Sequence, residues 1–304
     1  MKPVIIIQGP TAVGKSSLAF DIAKKLNLEI ISADSRQVYK YMNIGTAKPT
    51  STELAEVKHH LVDIIEPNES YNAGRFAREA TEIVDHSGIE FPIICGGTGF
   101  YISSFLEGLC EIEEIPQEIR DSLIKEWDAL GNKAMYKRLV EIDPLVAEKV
   151  SDNDKQRICR GLEVFYATNK RLSSYWEEQG LLTPRKVLNI LLVDDRQDIY
   201  QRINSRYDQM VKSGLLNEIR ELFKMGFQRD DPGFSAVGYK ELLPFILDKE
   251  DLASCIELAK QHSRNYAKRQ LSWYRRGKFN LVFFRKSIRY SSIDEYIIDF
   301  IDNC

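Results

Sequence analysis

The chain has 304 residues, with 42 Lys and Arg against 45 Asp and Glu, 43% hydrophobic residues and five cysteines. This length suits two modest domains or one large domain carrying an insertion, and the apolar fraction excludes a disordered chain. No stretch approaches the ~18 apolar residues of a membrane span, and the four-residue run after Met1-Lys2-Pro3 is too short for a signal-peptide core. Cys95, Cys110, Cys159, Cys255 and Cys304 lack CxxC spacing and read as reduced thiols of a cytosolic protein.

Val4–Ile7 is a β-branched run ending in a Gly-rich turn, which predicts a strand buried in a parallel sheet. Ser16 to Leu26 has helical apolar spacing. Leu28–Ile31 predicts a second buried strand leading into polar Ser32–Gln37, and Leu61–Ile65 a weaker third. A helix is expected over Ala73–Asp85, then a strand over Phe91–Cys95 running into Gly96-Gly97-Thr98. From Pro116 to about Thr183 the periodicity is helical throughout, with helices over Gln117–Leu130, Asn132–Glu141, Pro144–Val150 and Asn153–Thr168. Val187–Val193 reads as a buried strand again. Helices follow near Ile199–Met225, Tyr239–Ile246 and Asp251–Arg276, and a last strand is expected at Asn280–Phe284. The fold class that follows is α/β: a parallel sheet flanked by helices and interrupted by an all-helical domain, with Gly9, Gly14, Lys15 and Ser16 after the first strand making the core P-loop NTPase-like. The expected boundaries are residues 1–115 for the first part of the core, 116–184 for the insertion and 185–304 for the second part.

Net charge is −3, but its distribution is uneven. Between Lys260 and Tyr290 lie ten Lys and Arg and no Asp or Glu, leaving 32 basic and 45 acidic residues elsewhere, a balance of −13. A basic arm on an acidic body suits a polyanionic partner.

Gly9-Pro10-Thr11-Ala12-Val13-Gly14-Lys15-Ser16 fits GxxxxGK[ST] between a predicted strand and a predicted helix, the context that motif requires. Backbone N–H groups of such a loop cradle phosphate oxygens, Lys15 adds a point charge, and the Ser16 hydroxyl is placed to ligate Mg²⁺. An NTPase would end a second apolar strand in an Asp, whereas Phe91–Cys95 ends in Gly96-Gly97-Thr98. The acid at a strand end near the loop is instead Asp34. As a residue it is open to three readings: metal ligand, general base for an acceptor nucleophile, or cap of the next turn. Arg202 and Arg206, four apart on one helix face, are further candidates for a diphosphate or RNA. His59 and His60 lack a suitably spaced third ligand and read as structural.

Taken together, these segments resemble the tRNA dimethylallyltransferase family over nearly the whole chain. The resemblance rests on GPTAVGKS, ISADSRQVYKYMNIGTAKP (Ile31–Pro49), HHLVDIIEP (His59–Pro67), CGGTGFYISSFLEGL (Cys95–Leu109), the DP…NDKQRICRGLEV segment (Asp143–Val164), SAVGYKEL (Ser235–Leu242) and YAKRQLSWYRR (Tyr266–Arg276). It implies Mg²⁺-dependent transfer of a dimethylallyl group from dimethylallyl diphosphate to N6 of adenosine 37, 3′ to the anticodon, in tRNAs reading codons that begin with U. Asp34 then corresponds to the general base, Thr98 lies near the amine and the phosphates, and Lys15 stabilises the leaving group. Asp34, Ser35, Arg36, Gln37 and Thr98 would contact the target base and its neighbours. Arg120, Gln156, Arg157, Ile158, Cys159 and Arg160 match the family's tRNA-contacting positions. The long basic helix, with Tyr266, Trp273 and Tyr274 interleaved, would contact the RNA backbone. The family pattern also implies a cytoplasmic monomer. A Thr-Gly common in the family is Thr168-Asn169 here, a change that left-handed geometry tolerates, and no CxxC…H…H zinc module follows the last strand. Two rival activities share the loop: prenylation of free AMP, ADP or ATP, which needs no basic arm, and phosphoryl transfer from ATP.

Overall fold

The structure is a computed structural model that describes residues 1–86, 88–110, 112–178, 185–287 and 290–304. It divides into a unit formed by Met1–Glu107 with Thr183–Cys304 and a second unit of Gly108–Leu182.

The first unit is built on six parallel strands: β1 (Val4–Gln8), β2 (Ile30–Ser32), β3 (His59–His60), β4 (Ile93–Gly96), β5 (Val187–Val193) and β6 (Leu281–Phe284), in the order β3-β2-β4-β1-β5-β6. All five residues of β1 are buried, as a central strand covered on both faces requires. Its side chains alternate between two cores. Ile5 and Ile7 pack with Leu18 and Ile22 of α1 (Lys15–Leu26), while Val4 and Ile6 pack with Phe76 of α3 (Ala73–His86) and Ile102 and Phe105 of α4 (Gly99–Glu107). Each such fully buried side chain contributes roughly 1.5–3 kcal/mol. The short α2 (Ser51–Glu56) starts with a complete capping box between Thr50 and Glu53.

The second unit packs α5 (Gln117–Ile142), α6 (Pro144–Ala147), α7 (Lys155–Thr168) and α8 (Leu172–Glu178) around Leu123, Met135, Leu139, Val146, Ile158 and Leu162. The break expected at Gly131 is present: the glycine takes the non-helical φ 76° and ψ 170°, so α5 is two helices meeting at a kink. Asp143 is fully buried, yet its carboxylate is satisfied by the N–H groups of Val146 (3.3 Å) and Ser173 (2.9 Å). Asn169 caps α7 in left-handed geometry.

The first unit resumes with α9 (Arg196–Lys212), α10 (Leu215–Lys224), α11 (Leu243–Ile246), α12 (Leu252–Tyr274) and α13 (Tyr290–Asp302). The single helical stretch expected near Ile199–Met225 is split, because Gly214 takes φ 105° and starts a new helix. The Tyr239 to Ile246 helix is reduced to α11; Tyr239 lies in a turn, fully buried, where its hydroxyl donates to Glu218. The strand expected at Leu61–Ile65 is displaced to His59–His60. Leu61 and Asp63 both have positive φ, which breaks extended pairing, and Ile65 retains only an isolated bridge to Tyr39. Helix α13, which the sequence reading does not include, carries the buried Ile293 and Ile297 into the core. Among the described residues no helix is long and apolar enough to cross a membrane.

Candidate active site

In a parallel sheet the loops leaving the C-terminal strand ends converge on one edge, where ligands bind. Here β1 leads into the Gly9–Ser16 loop, β2 into Asp34, β4 into Gly97-Thr98 and β5 into Asp194. At this edge lies a cavity of about 690 Å³ whose lining includes Lys15, Ser16, Asp34, Gln37, Arg202 and Arg206. Gly14, at φ 96°, ends the loop in left-handed geometry and starts α1. Gly97 is needed for closeness: an added Cβ would lie 2.6 Å from Gln270 Nε2 and 3.3 Å from Lys15 Nζ.

Electrostatics set the character of the cavity. Burial holds the Lys15 ammonium below the usual lysine range, opposed by Cys95 and Asp34. Arg206 is likewise lowered by loss of water and supported by Asp34. Two cations held at a solvation cost around one carboxylate will bind an anion readily, because the anion offsets that cost. Arg206 donates to Thr11 Oγ1 at 2.7 Å, and Arg202 joins Ala12 O (2.8 Å) to Asp194 Oδ2 (2.7 Å). Thus β5 does end in an acid near the loop, in addition to Asp34, but that acid is spent on Arg202. Arg285, from the basic arm, lies over Gly14, 3.3 Å from where a Cβ would stand.

Asp34 both caps and faces the cavity. Its Oδ1 accepts the Arg36 N–H at 2.8 Å, which fixes the carboxylate within the following turn. Thr98 Oγ1 accepts from Ser35 N at 3.4 Å, so the two strand-end loops are tied together beside Asp34. Arg36 reaches Pro232 O and Ser235 Oγ, the latter at 2.9 Å. Gln37 is held at both ends: Ser32 Oγ donates to its Oε1 at 2.9 Å, and its Nε2 donates to Ala47 O at 3.0 Å.

Several residues to which the sequence assigned no part in the phosphate site build this arrangement. Gln270, only 6% exposed, accepts from Thr11 N at 2.8 Å and donates to Gly97 O at 2.7 Å. Tyr274, buried, directs its hydroxyl at Gly9 O and Gly97 O. Tyr266 hydrogen-bonds the Thr98 side chain and is raised by burial and by nearby Asp34. The 266, 270, 274 spacing of four was the available signal: one stripe of uncharged residues through a basic helix. Glu218 gathers the N–H groups of Asn43 (2.8 Å), Ile44 (2.8 Å) and Gly45 (3.2 Å), shaping the loop that holds Gln37, and no sequence signal pointed to it.

The basic arm is therefore corrected in part. Tyr274 belongs to the clamp on the phosphate loop and is unavailable to RNA. Lys260 pairs with Asp208 and Glu257, and Lys286 with Asp195 and Asp198. Lys268, Arg269, Arg275, Arg276 and Lys278 remain exposed, whereas the expected Arg289 lies outside the described residues. In the helical unit Ile158 is fully buried and Cys159 is 7% exposed, so both side chains pack the unit rather than offer contacts. Gln156 and Arg157 are exposed, and Arg120 lies close enough to Arg160 to join burial in lowering its pKa. His59 and His60 hold Val57 O (2.8 Å) and Glu29 (2.6 Å), as structural residues do.

The IPP transferase family model matches residues 37–277. The chain belongs to the IPP transferase family. It is 40% identical to tRNA dimethylallyltransferase 1 of Syntrophotalea carbinolica over 288 residues, covering 94% of this chain and 91% of that one. It is 43% identical over 277 residues to the tRNA dimethylallyltransferase of Carboxydothermus hydrogenoformans, covering 90% and 89%. Among solved structures, a eukaryotic dimethylallyltransferase acting on tRNA superposes with TM-score 0.83 at 30% identity, covering all of this chain and 80% of that one. The tRNA isopentenylpyrophosphate transferase of Bacillus halodurans gives TM-score 0.71 at 34% identity, with 100% and 98% covered. As an IPP transferase the chain is a prenyl-transferring enzyme with the α/β fold and helical insertion expected of it.

Proposed function

We propose that this chain transfers a dimethylallyl group from dimethylallyl diphosphate to N6 of adenosine 37, 3′ to the anticodon, in tRNAs reading codons that begin with U. The observation that carries this reading is the shared cavity: Asp34 faces the same space as the phosphate loop, Lys15 and Arg206, and Thr98 is tied to the Asp34 turn through Ser35 N. A bond forms between N6 and C1 of the prenyl group while the C1–O bond breaks, and diphosphate departs. Asp34 takes the proton from the exocyclic amine, a weak nucleophile that a nearby carboxylate assists. Lys15, Arg206 and the loop N–H groups stabilise charge developing on the diphosphate. The Ser16 hydroxyl, exposed on the cavity wall, is a hard oxygen ligand that would suit Mg²⁺. The metal would supply charge neutralisation to the leaving group.

A stacked adenine cannot reach the cavity, so the base must be extruded from the anticodon loop, at a cost of a few kcal/mol. The open cations of α12 are suited to neutralise RNA phosphates, and so, within the helical unit, are Arg120, Arg157 and Arg160 beside Gln156. We take the chain to act as a monomer in the cytoplasm. The deciding experiment incubates it with dimethylallyl diphosphate, Mg²⁺ and unmodified tRNA, then analyses the digested RNA for isopentenyladenosine. Its formation supports the reading. Transfer to free AMP with none to tRNA, or release of ADP from ATP, would replace it with one of the rival activities.

A further inference from the structure

Helix α12 meets the Gly97 to Gly99 turn along one stripe. Gln270 bonds Gly97 O, Tyr266 bonds the Thr98 side chain, and the Trp273 indole lies on Gly99, where an added Cβ would come within 2.3 Å of Nε1. Gln270 is buried, but Trp273 is 42% exposed and its neighbour Phe100 is 51% exposed. Their rings meet edge to face, with centroids 6.4 Å apart and planes at 79°. Single exposed aromatic residues are ordinary on protein surfaces. This pair differs in its place. Phe100 follows Thr98 by two residues, so the rings stand directly beside the Thr98 turn, which is tied to Asp34's neighbour Ser35. Exposed Arg269 lies four residues before Trp273 on the same helix face, and exposed Arg276 follows it by three, just past the helix end.

We propose that Trp273 and Phe100 form a stacking platform for the unpaired nucleobase next to the target adenosine. This rests on the tRNA reading above. Extruding one base strips its neighbour of a stacking partner. An aromatic face replaces that partner for any base, because every base offers a π-face. Arg269 and Arg276 are placed to meet the phosphates on either side. The platform makes extrusion less costly, since the exposed neighbour regains on protein the stacking it lost in RNA.

The chain contains three tryptophans. In a Trp127→Phe, Trp176→Phe background Trp273 is therefore the sole tryptophan reporter. An unmodified anticodon stem-loop RNA should quench its emission, and the same RNA with an abasic site beside the target adenosine should not. Trp273→Ala and, independently, Phe100→Ala should raise the stem-loop KM roughly tenfold. The KM for dimethylallyl diphosphate should stay within about twofold, and Trp273→Phe should recover most of the RNA affinity. Phe100→Ala removes a surface ring and so guards against misfolding of the tryptophan variant. Unchanged stem-loop KM in both alanine variants, or unquenched emission at saturating RNA, would overturn the platform while leaving tRNA modification standing. Emission that changes with protein concentration alone would assign the pair to self-association and also overturn it. If the unaltered chain modifies neither stem-loop nor tRNA, the tRNA reading fails first and the platform with it.

Discussion

The two units hold their functional groups by opposite means. In the sheet unit the cavity is assembled from distant parts of the chain: Thr11 N and Gln270 Oε1 are 259 residues apart yet hydrogen-bonded at 2.8 Å. In the helical unit the exposed cations are held locally, as where Asp154 accepts the Arg157 N–H at 3.1 Å and pairs with its guanidinium. The difference teaches where precision is needed. Bond-making requires groups fixed within fractions of an ångström, which long-range buried hydrogen bonds provide. Gripping a phosphate backbone requires charge on a stable face, which one capped helix supplies.

The largest expected effect tests the precise side of this contrast. Asp34→Asn keeps an oxygen to accept the Arg36 N–H but cannot take a proton. Single-turnover transfer should fall by roughly 10²–10⁴-fold, with tRNA affinity within several-fold. A near-normal rate would remove Asp34 from the role of base. Next comes Gln270→Leu, which leaves Thr11 N and Gly97 O without their partner. Urea unfolding should show stability lower by about 1–3 kcal/mol, and the KM for dimethylallyl diphosphate should rise because the loop is less well held. No change in either would mean that Tyr274 alone maintains the clamp.

The helical side should respond differently. Arg157→Gln and Arg160→Gln should weaken tRNA binding modestly and reduce the slope of log K against log salt by about one for each phosphate no longer neutralised. The donor KM should not move. If transfer rates at saturating tRNA fell instead, the contrast between the two units would fail. The smallest effect concerns thiols. Burial pushes the Cys95 thiol up to about 11, whereas Cys304 is exposed. Alkylation at pH 8 should modify Cys304 while sparing Cys95, as mass spectrometry of peptides would show. Because the folded pKa lies above the ordinary value of 9.0, the protonated thiol favours the fold; that contribution is present below pH 9 and is lost as pH rises towards about 11.

Much of the sheet was legible in the sequence because a parallel core strand buries both faces. Val4–Ile7 is a continuous apolar run and Val187–Val193 one interrupted only by Asn189, and the second matches β5 residue for residue. Strand β3 was misplaced because only two residues pair and the apolar residues after them turn away. Ile158 and Cys159 were swept into a candidate RNA surface by adjacency to Arg157 and Arg160. Helical periodicity turns them by about 100° per residue into the core. The basic arm was visible as a run of like charge, but the assignment of each cation to solvent or to an ion pair was not.

The sequence by itself determined the phosphate loop, the strand-end position of Asp34 and the interruption of an α/β core by helices. Each is a local pattern: a motif, an apolar run, a period. Only the tertiary structure decided that Gln270 and Tyr274 brace the loop, that Arg202 and Arg206 enter its cavity, that Glu218 shapes the loop holding Gln37, and that Trp273 lies open beside Phe100. These depend on which helix face meets which turn, and that is set by packing between segments far apart in the chain: spacing marks a stripe on a helix but not the turn that the stripe meets.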